Sequence, residues 1–268
     1  MMNMQPVTPV SPAAPYIGGK RVLSKTIIRK INATPHDGYA EPFVGMGGIF
    51  LRRSLAPRME AINDISGDVA NLFRILQRHY PQFMEVLRFQ VTGRREYERL
   101  LKTDPTTLTD LERAARFLYL QRLAFGGKTV GRSFGITRTG GARFNLLKVV
   151  PLLEDIHERL AGVVIECLPW RTFMKRYDRP GMLFYLDPPY WGSEGDYGKD
   201  VFSRAEFAEM AETLKGLQSR FIVSLNAHPG VYETFEGFEI EEVDCSYSVS
   251  GKGRNKAVRE VIITGGKA

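Results

Sequence analysis

Apolar and polar residues fall in blocks along this chain, and the period of the pattern changes from block to block. Short, largely apolar runs bounded by turn-forming residues mark buried strands at Met59–Ile62, Val163–Leu168, Met182–Leu186 and Phe221–Leu225. A further short strand begins at Gly38 and ends near Phe43. Elsewhere apolar residues recur every three or four positions, which is the spacing of one helix face. That spacing predicts a helix from Arg21 to about Asn32, carrying Val22, Ile27, Ile28 and Ile31. It predicts helical structure across residues 67–101, with Val69, Leu72, Phe73, Leu76, Phe83, Val86 and Leu87 on apolar faces. Thr109-Asp110-Leu111-Glu112 forms a capping box that opens a helix running to about Phe125. Further helices are predicted over 152–160, 170–175 and 204–217, the last with Ser203 as its N-cap. Residues 238–244 and 258–264 close the chain as an antiparallel pair. Strands alternating with helices predict a mostly parallel sheet covered on both faces and finished by a hairpin. A region of about 70–150 splits the sheet elements into two blocks. Residues 1–15, with Pro6, Pro9, Pro12 and Pro15, read as a disordered or extended lead-in.

The strand ends carry the chemistry. Met182–Leu186 runs into Asp187-Pro188-Pro189-Tyr190. Two prolines fix φ and remove two backbone donors, so the strand must stop in a stiff turn. A carboxylate and an aromatic ring are then held at the carboxyl edge of the sheet, where α/β folds bind ligands. The run ending at Phe43 is followed by Gly45-Met46-Gly47-Gly48, predicted to open a helix through about Ser54. Glycines there let a ligand lie against the backbone. The spacing matches neither the dinucleotide fingerprint nor a phosphate-binding loop with its Lys-Ser/Thr. Asn63-Asp64 ends the next strand, about twenty residues on, where an acid either accepts two ribose hydroxyls or caps the helix starting near Ser66. Tyr16-Ile17-Gly18-Gly19-Lys20 precedes the first helix, and Lys20 can reach an anion or remain a surface lysine.

Composition narrows the partner. The formal net charge is +7, which favours a polyanion. The excess is concentrated: no acidic residue lies between Glu112 and Glu154, a stretch that holds Arg113, Arg116, Arg122, Lys128, Arg132, Arg138, Arg143 and Lys148 among glycines and the aromatics Phe125, Phe134 and Phe144. Arginines on an adaptable backbone suit phosphates and guanine edges, so this region is expected to contact nucleic acid. Cys167 and Cys245 lie far apart without metal-site or disulfide spacing, and indicate a reducing compartment. No apolar run reaches the ~18 residues of a membrane span, and the N-terminus lacks the pattern of a signal peptide.

Taken together and in order, these motifs resemble those of the adenine-N6 DNA methyltransferases related to bacterial Dam, the D12 class, in its α arrangement. The resemblance rests on Gly18-Gly19-Lys20 with Tyr16, on Glu41-Pro42-Phe43-Val44-Gly45-Met46-Gly47, and on Asn63-Asp64-Ile65. It continues through Phe117–Arg122, Arg143-Phe144-Asn145, Asp187-Pro188-Pro189-Tyr190 and Ser248–Arg254. It implies a Rossmann-like S-adenosylmethionine-dependent methyltransferase sheet over 1–69 and 151–268, with 70–150 as an inserted, mainly helical target-recognition domain. It implies S-adenosylmethionine held by Tyr16, Lys20, Glu41, Pro42, Phe43, Gly45, Gly47, Asp64, Ile65 and Asp187, with the ribose on Asp64 and no metal. A flipped-out adenine of double-stranded DNA would stack on Tyr190, while Asp187 and the Pro188 carbonyl, stiffened by Pro189, accept hydrogen bonds from its amino group. Arg122, Lys128, Arg132, Arg138, Arg143, Asn145, Lys252 and Arg254 are the implied DNA contacts. A cytoplasmic, bacterial or phage-encoded enzyme needing no membrane and no obligatory protein partner is expected. The chain departs from the family in carrying Tyr16 in place of Trp and Ile17 in place of a small residue. Two other readings stand beside this one: an amino-group methyltransferase acting on RNA or on protein glutamine, and a non-catalytic DNA-binding relic.

Overall fold

The computed structural model describes residues 4–135, 143–198, 201–248 and 255–267. Parallel strands β1 (Gly38–Glu41), β2 (Met59–Asn63), β3 (Val164–Glu166), β4 (Met182–Leu186) and β5 (Arg220–Asn226) form the body of one sheet. β6 (Glu239–Ser248) and β7 (Asn255–Gly266) complete it in the order β3-β2-β1-β4-β5-β7-β6. β7 runs antiparallel to both of its neighbours. The chain moves outward from β1 through β2 to β3 and then returns to β4 on the other side. The strand order therefore reverses between β1 and β4, and that reversal opens a crevice at their carboxyl ends.

Both faces of the sheet are covered, and β1, β2 and β4 are buried on both sides. In β4, Leu183 and Tyr185 face a core shared with α1 (Ser24–Ala33), α2 (Gly67–Arg78), α3 (Tyr80–Leu87) and α6 (Leu146–Arg159). Met182, Phe184 and Leu186 face the opposite core, built with α7 (Trp170–Tyr177), α8 (Ala205–Gly216) and α9 (Pro229–Thr234). α4 (Arg94–Lys102) and α5 (Asp110–Leu123) extend the first core away from the sheet. Nearly every residue of α5 from Ala114 to Leu123 is buried, so it forms the centre of the helical region. Its start carries the expected capping box, Thr109 and Glu112 bonding reciprocally.

A buried ion cluster ties this region to the sheet. Glu60 of β2 accepts from Arg53 at 2.7 Å and from Arg159 of α6 at 2.7 and 2.9 Å. The Arg53 guanidinium lies 3.6 Å from the Tyr39 ring centre and that of Arg159 lies 4.1 Å from Phe50.

Several elements differ from expectation. The lead-in is extended but packed: Gln5–Pro6 pairs antiparallel with Leu55–Ala56, the Val10 amide donates to the Leu51 carbonyl, and Val10, Ala13 and Ala14 are buried. Its prolines suppress helix without preventing edge pairing. The glycine turn opens no α-helix; only the single 3₁₀ turn Phe50–Arg52 follows, since Gly45 and Gly47 have positive φ and the next strand begins at Leu55. The segment 67–101 is helical as expected and divides into α2, α3 and α4. α6 begins at Leu146 and continues through Pro151, which costs one backbone hydrogen bond. Ser203 gives α8 no side-chain cap; Glu206 instead accepts from the Ser203 amide at 2.7 Å. Among the described residues no helix is long and apolar enough to cross a membrane.

Candidate active site

A cavity of about 1100 Å³ opens at the strand reversal. Its walls come from the carboxyl ends of β1, β2, β3 and β4, from residues 11–21, and from the helical region through Phe117, Arg122, Thr129 and Arg132.

The turn after β1 forms the floor. Gly45 (φ 51°) and Gly47 (φ 74°) adopt conformations that glycine accepts without strain. A Cβ on Gly45 would stand 3.1 Å from the Tyr16 ring, and one on Gly47 would stand 2.8 Å from Leu51. Gly45 lines the cavity while Gly47 lies beneath it, turned toward Leu51. Asp64, just past β2, fixes the turn: its carboxylate accepts from the Gly45 and Ser66 amides, each at 2.9 Å. Burial pushes its pKa up to about 6, against those two donors. Asp64 is not the cap of α2; Ser66 holds that position and accepts weakly from the Val69 amide. Glu41 at the end of β1 also lines the cavity and accepts from the buried Tyr39 hydroxyl at 2.6 Å. Burial raises its pKa to about 8.

Asp187 follows β4 directly. The ammonium of Lys20, itself almost fully buried, stands 2.5 Å from Asp187 Oδ1. The Ser224 hydroxyl reaches the same oxygen at 3.3 Å. Asp187 Oδ2 has no partner among the described residues. Burial pushes the Asp187 pKa up to about 6, while Lys20 holds it down. Lys20 Nζ also lies 4.3 Å from the centre of the Tyr190 ring, so one cation orients both the acid and the aromatic. The turn is secured behind them. The Trp191 amide donates to Asn226 Oδ1 at 2.9 Å, and Asn226 Nδ2 returns a bond to the Trp191 carbonyl at 3.1 Å. Pro188 and Pro189 are buried, and no turn or loop hydrogen bond among the described residues ends on the Pro188 carbonyl.

The structure thus brings Tyr16, Lys20, Glu41, Pro42, Phe43, Gly45, Asp64, Ile65, Asp187 and Pro189 onto one cavity, with Tyr190 beside it. The basic residues scatter. The Arg122 guanidinium turns inward, donating to the carbonyls of Ala13 and Arg143. Arg132 packs 5.5 Å from the Phe117 ring centre and donates to Gln121. Lys128 is exposed, Arg143 lies against Gly135, and Asn145 caps α6 through the Leu147 amide. Arg138, Lys252 and Arg254 lie outside the described residues.

Sequence reading missed one wall, formed by Leu168, Pro169, Trp170, Phe202 and Glu206. Trp170 Nε1 donates to Glu206 at 3.1 Å, and Phe43 packs between Trp170 and Phe202 at 6.3 and 6.0 Å. Trp170 follows β3, whose carboxyl end belongs to the same edge; that adjacency was the available signal. Ser224 and Asn226 were missed because nothing local marks a strand residue as a buried buttress.

The family model for D12 class N6 adenine-specific DNA methyltransferases matches residues 16–249. The chain belongs to that family. It is an S-adenosylmethionine-dependent enzyme that methylates adenine in DNA at N6. Among its relatives are a type II methyltransferase of Lactococcus lactis subsp. cremoris, 26% identical over 98% of this chain and 96% of the relative. A DNA adenine methylase of the Escherichia coli retron Ec67 is 22% identical over 94% of this chain and 90% of its own. The DNA N-6-adenine-methyltransferase of Escherichia phage P1 is 25% identical over 83% of this chain but only 31% of its own length. The family match spans the methyltransferase's glycine turn, Asp64 and Asp187–Tyr190.

Proposed function

We propose that the cavity holds S-adenosylmethionine and that Asp187 receives the amino group of an adenine turned out of duplex DNA. The donor set fits a cationic cofactor. Asp64, Asp187 and Glu206 line the walls, so a sulfonium and an ammonium find negative charge there. Asp64 retains lone pairs for ribose hydroxyls, and the Gly45 turn leaves room for the chain of the cofactor against Tyr16. Phe43, Ile65, Leu168 and Trp170 offer flat apolar surface for its base. The bound cofactor supplies an electrophilic methyl group.

The remaining work belongs to the chain. The observation that carries the proposal is the asymmetric Asp187 carboxylate. Oδ1 is held by Lys20 and Ser224, which keeps the acid ionised and immobile at neutral pH. Oδ2 is left to accept one amino hydrogen, and the Pro188 carbonyl accepts the other. An amino nitrogen held by two acceptors directs its lone pair away from them, toward the methyl group. The acceptors are fixed before substrate arrives, so little reorganisation is needed. Tyr190 stacks on the adenine ring, which must leave the duplex because its amino group is otherwise buried in the base stack. Residues 70–150 serve as the recognition region, with the exposed Lys128 among its DNA contacts, in an enzyme of the bacterial cytoplasm.

Sequencing genomic DNA from a host that lacks N6-methyladenine, after expression of the protein, tests the substrate. The expected result is N6-methyladenine confined to one short sequence. Methyl label found only in RNA or protein would overturn the proposal.

A further inference from the structure

Of the arginines on the cavity wall, Arg122 and Arg132 are spent on carbonyls and Gln121, which leaves Arg21 and Arg52 without an acidic partner among the described residues. Arg21 lies on the turn leading into α1 and is exposed; Arg52 ends the 3₁₀ turn after the glycines and is half-buried. Several other arginines pair with acids, among them Arg53, Arg113, Arg159, Arg176 and Arg204. The Arg52 side chain donates from Nη1 to the Gly48 carbonyl at 2.5 Å. Burial, and secondarily the charge of Arg21, lower its pKa from the ordinary guanidinium value. Two like charges near each other in a partly desolvated place raise the energy of the free protein. An anion between them would relieve it.

The space for such an anion is there. Gly48 sits between the two elements: a Cβ on it would meet Lys20 N at 3.8 Å and Arg52 Nη1 at 3.9 Å, both ordinary contact distances. Gly48 lines the cavity between the Arg52 guanidinium and the backbone of Lys20, the residue before Arg21. The same cavity is lined by the carboxylates Asp64, Asp187 and Glu206.

Resting on the placement of S-adenosylmethionine in this cavity, we infer that Arg21 and Arg52 form a carboxylate clamp for the amino-acid end of the cofactor. The cavity carboxylates suit the ammonium and sulfonium; the guanidinium pair suits the carboxylate, which arginine binds with charge-assisted hydrogen bonds. A DNA phosphate offers the same chemistry from another source. The half-burial of Arg52 inside the cavity favours the smaller anion.

The test compares S-adenosylmethionine with its decarboxylated analogue by calorimetry, using the full chain, Arg21→Gln and Arg52→Gln, with duplex affinity measured in parallel. Wild type should bind the carboxylate-bearing ligand about tenfold or more tightly than the analogue. Each variant should lose most of that preference while keeping the wild-type affinity for the analogue and for duplex. Arg21 is exposed, so its variant leaves the fold intact, and unchanged analogue binding certifies the Arg52 variant. An unchanged preference in both variants overturns the clamp. A fall in duplex affinity with the preference intact overturns it in favour of a phosphate contact. If wild type binds neither ligand, the placement of the cofactor fails first and the clamp with it.

Discussion

Two buried ion clusters flank β1, and they are built from the same materials to opposite ends. Arg53–Glu60–Arg159 is sealed: its side chains are 0%, 7% and 4% exposed, both guanidinium groups lie over aromatic rings, and both of Glu60's oxygens are used. Lys20–Asp187 is one-sided. Lys20 is 1% exposed, but Asp187 is 21% exposed and one of its oxygens faces the cavity. A closed cluster joins α6 to the sheet and can do nothing else. An open one leaves a carboxylate oxygen without a partner among the described residues. Position relative to the strand reversal decides which is which. Glu60 lies within β2, and Asp187 lies one residue past the end of β4.

The largest effect expected from breaking this contrast is on stability. Glu60→Ala leaves two buried guanidinium groups facing each other, and should cost about 3–5 kcal/mol in denaturant unfolding. Loss of a few tenths would mean that the cluster is not sealed. On the open side, Asp187 acts as a carboxylate with a pKa raised to about 6. Single-turnover methyl transfer should be flat above that pH and fall about tenfold per unit below it. A profile flat down to pH 4.5 would contradict the assignment.

Lys20→Met removes the cation that holds Asp187 down. With cofactor saturating, the acid limb of the rate profile should move to higher pH; an unmoved limb would show that Lys20 does not tune the acid. A further effect, seen only as a pH dependence, concerns Glu41. Its pKa in the folded chain is raised from the ordinary 4.5 to about 8, so the folded state keeps a proton that the unfolded state releases. Its contribution is fully present below the ordinary value and is lost as pH rises toward 8. Glu41→Gln should therefore melt progressively higher than wild type between pH 5 and pH 8. A constant gap in Tm would disprove a protonated Glu41.

The sequence made the open cluster easier to see than the sealed one. Asp187 stands out because two prolines and an aromatic follow it, and no core strand requires them there. The strands β4 and β5 were legible for the same reason: unbroken apolar runs with clear stops. Lys20 was visible only as a lysine after two glycines, since its partner is 167 positions away. Glu60, Arg53 and Arg159 gave no signal, because charged residues at those places read as surface until the fold buries them together. The helix expected after the glycine turn failed on backbone conformation, since positive φ at Gly45 and Gly47 and an early strand leave room for one 3₁₀ turn. The lead-in failed on tertiary pairing: Gln5–Pro6 finds an edge at Leu55–Ala56 that no local rule predicts. Asp64 was foreseen at the right edge, but its grip on the Gly45 amide, 19 positions away, belongs to the fold.

The central claim is that the open oxygen of Asp187 receives the target amino group. It is tested most directly by Asp187→Asn in single-turnover methyl transfer at pH 8, with cofactor and a duplex carrying the target sequence both saturating. Replacing one carboxylate oxygen by an amide donor should slow transfer by about 10²–10³-fold, while duplex affinity stays close to wild type. Transfer at the wild-type rate would contradict the account.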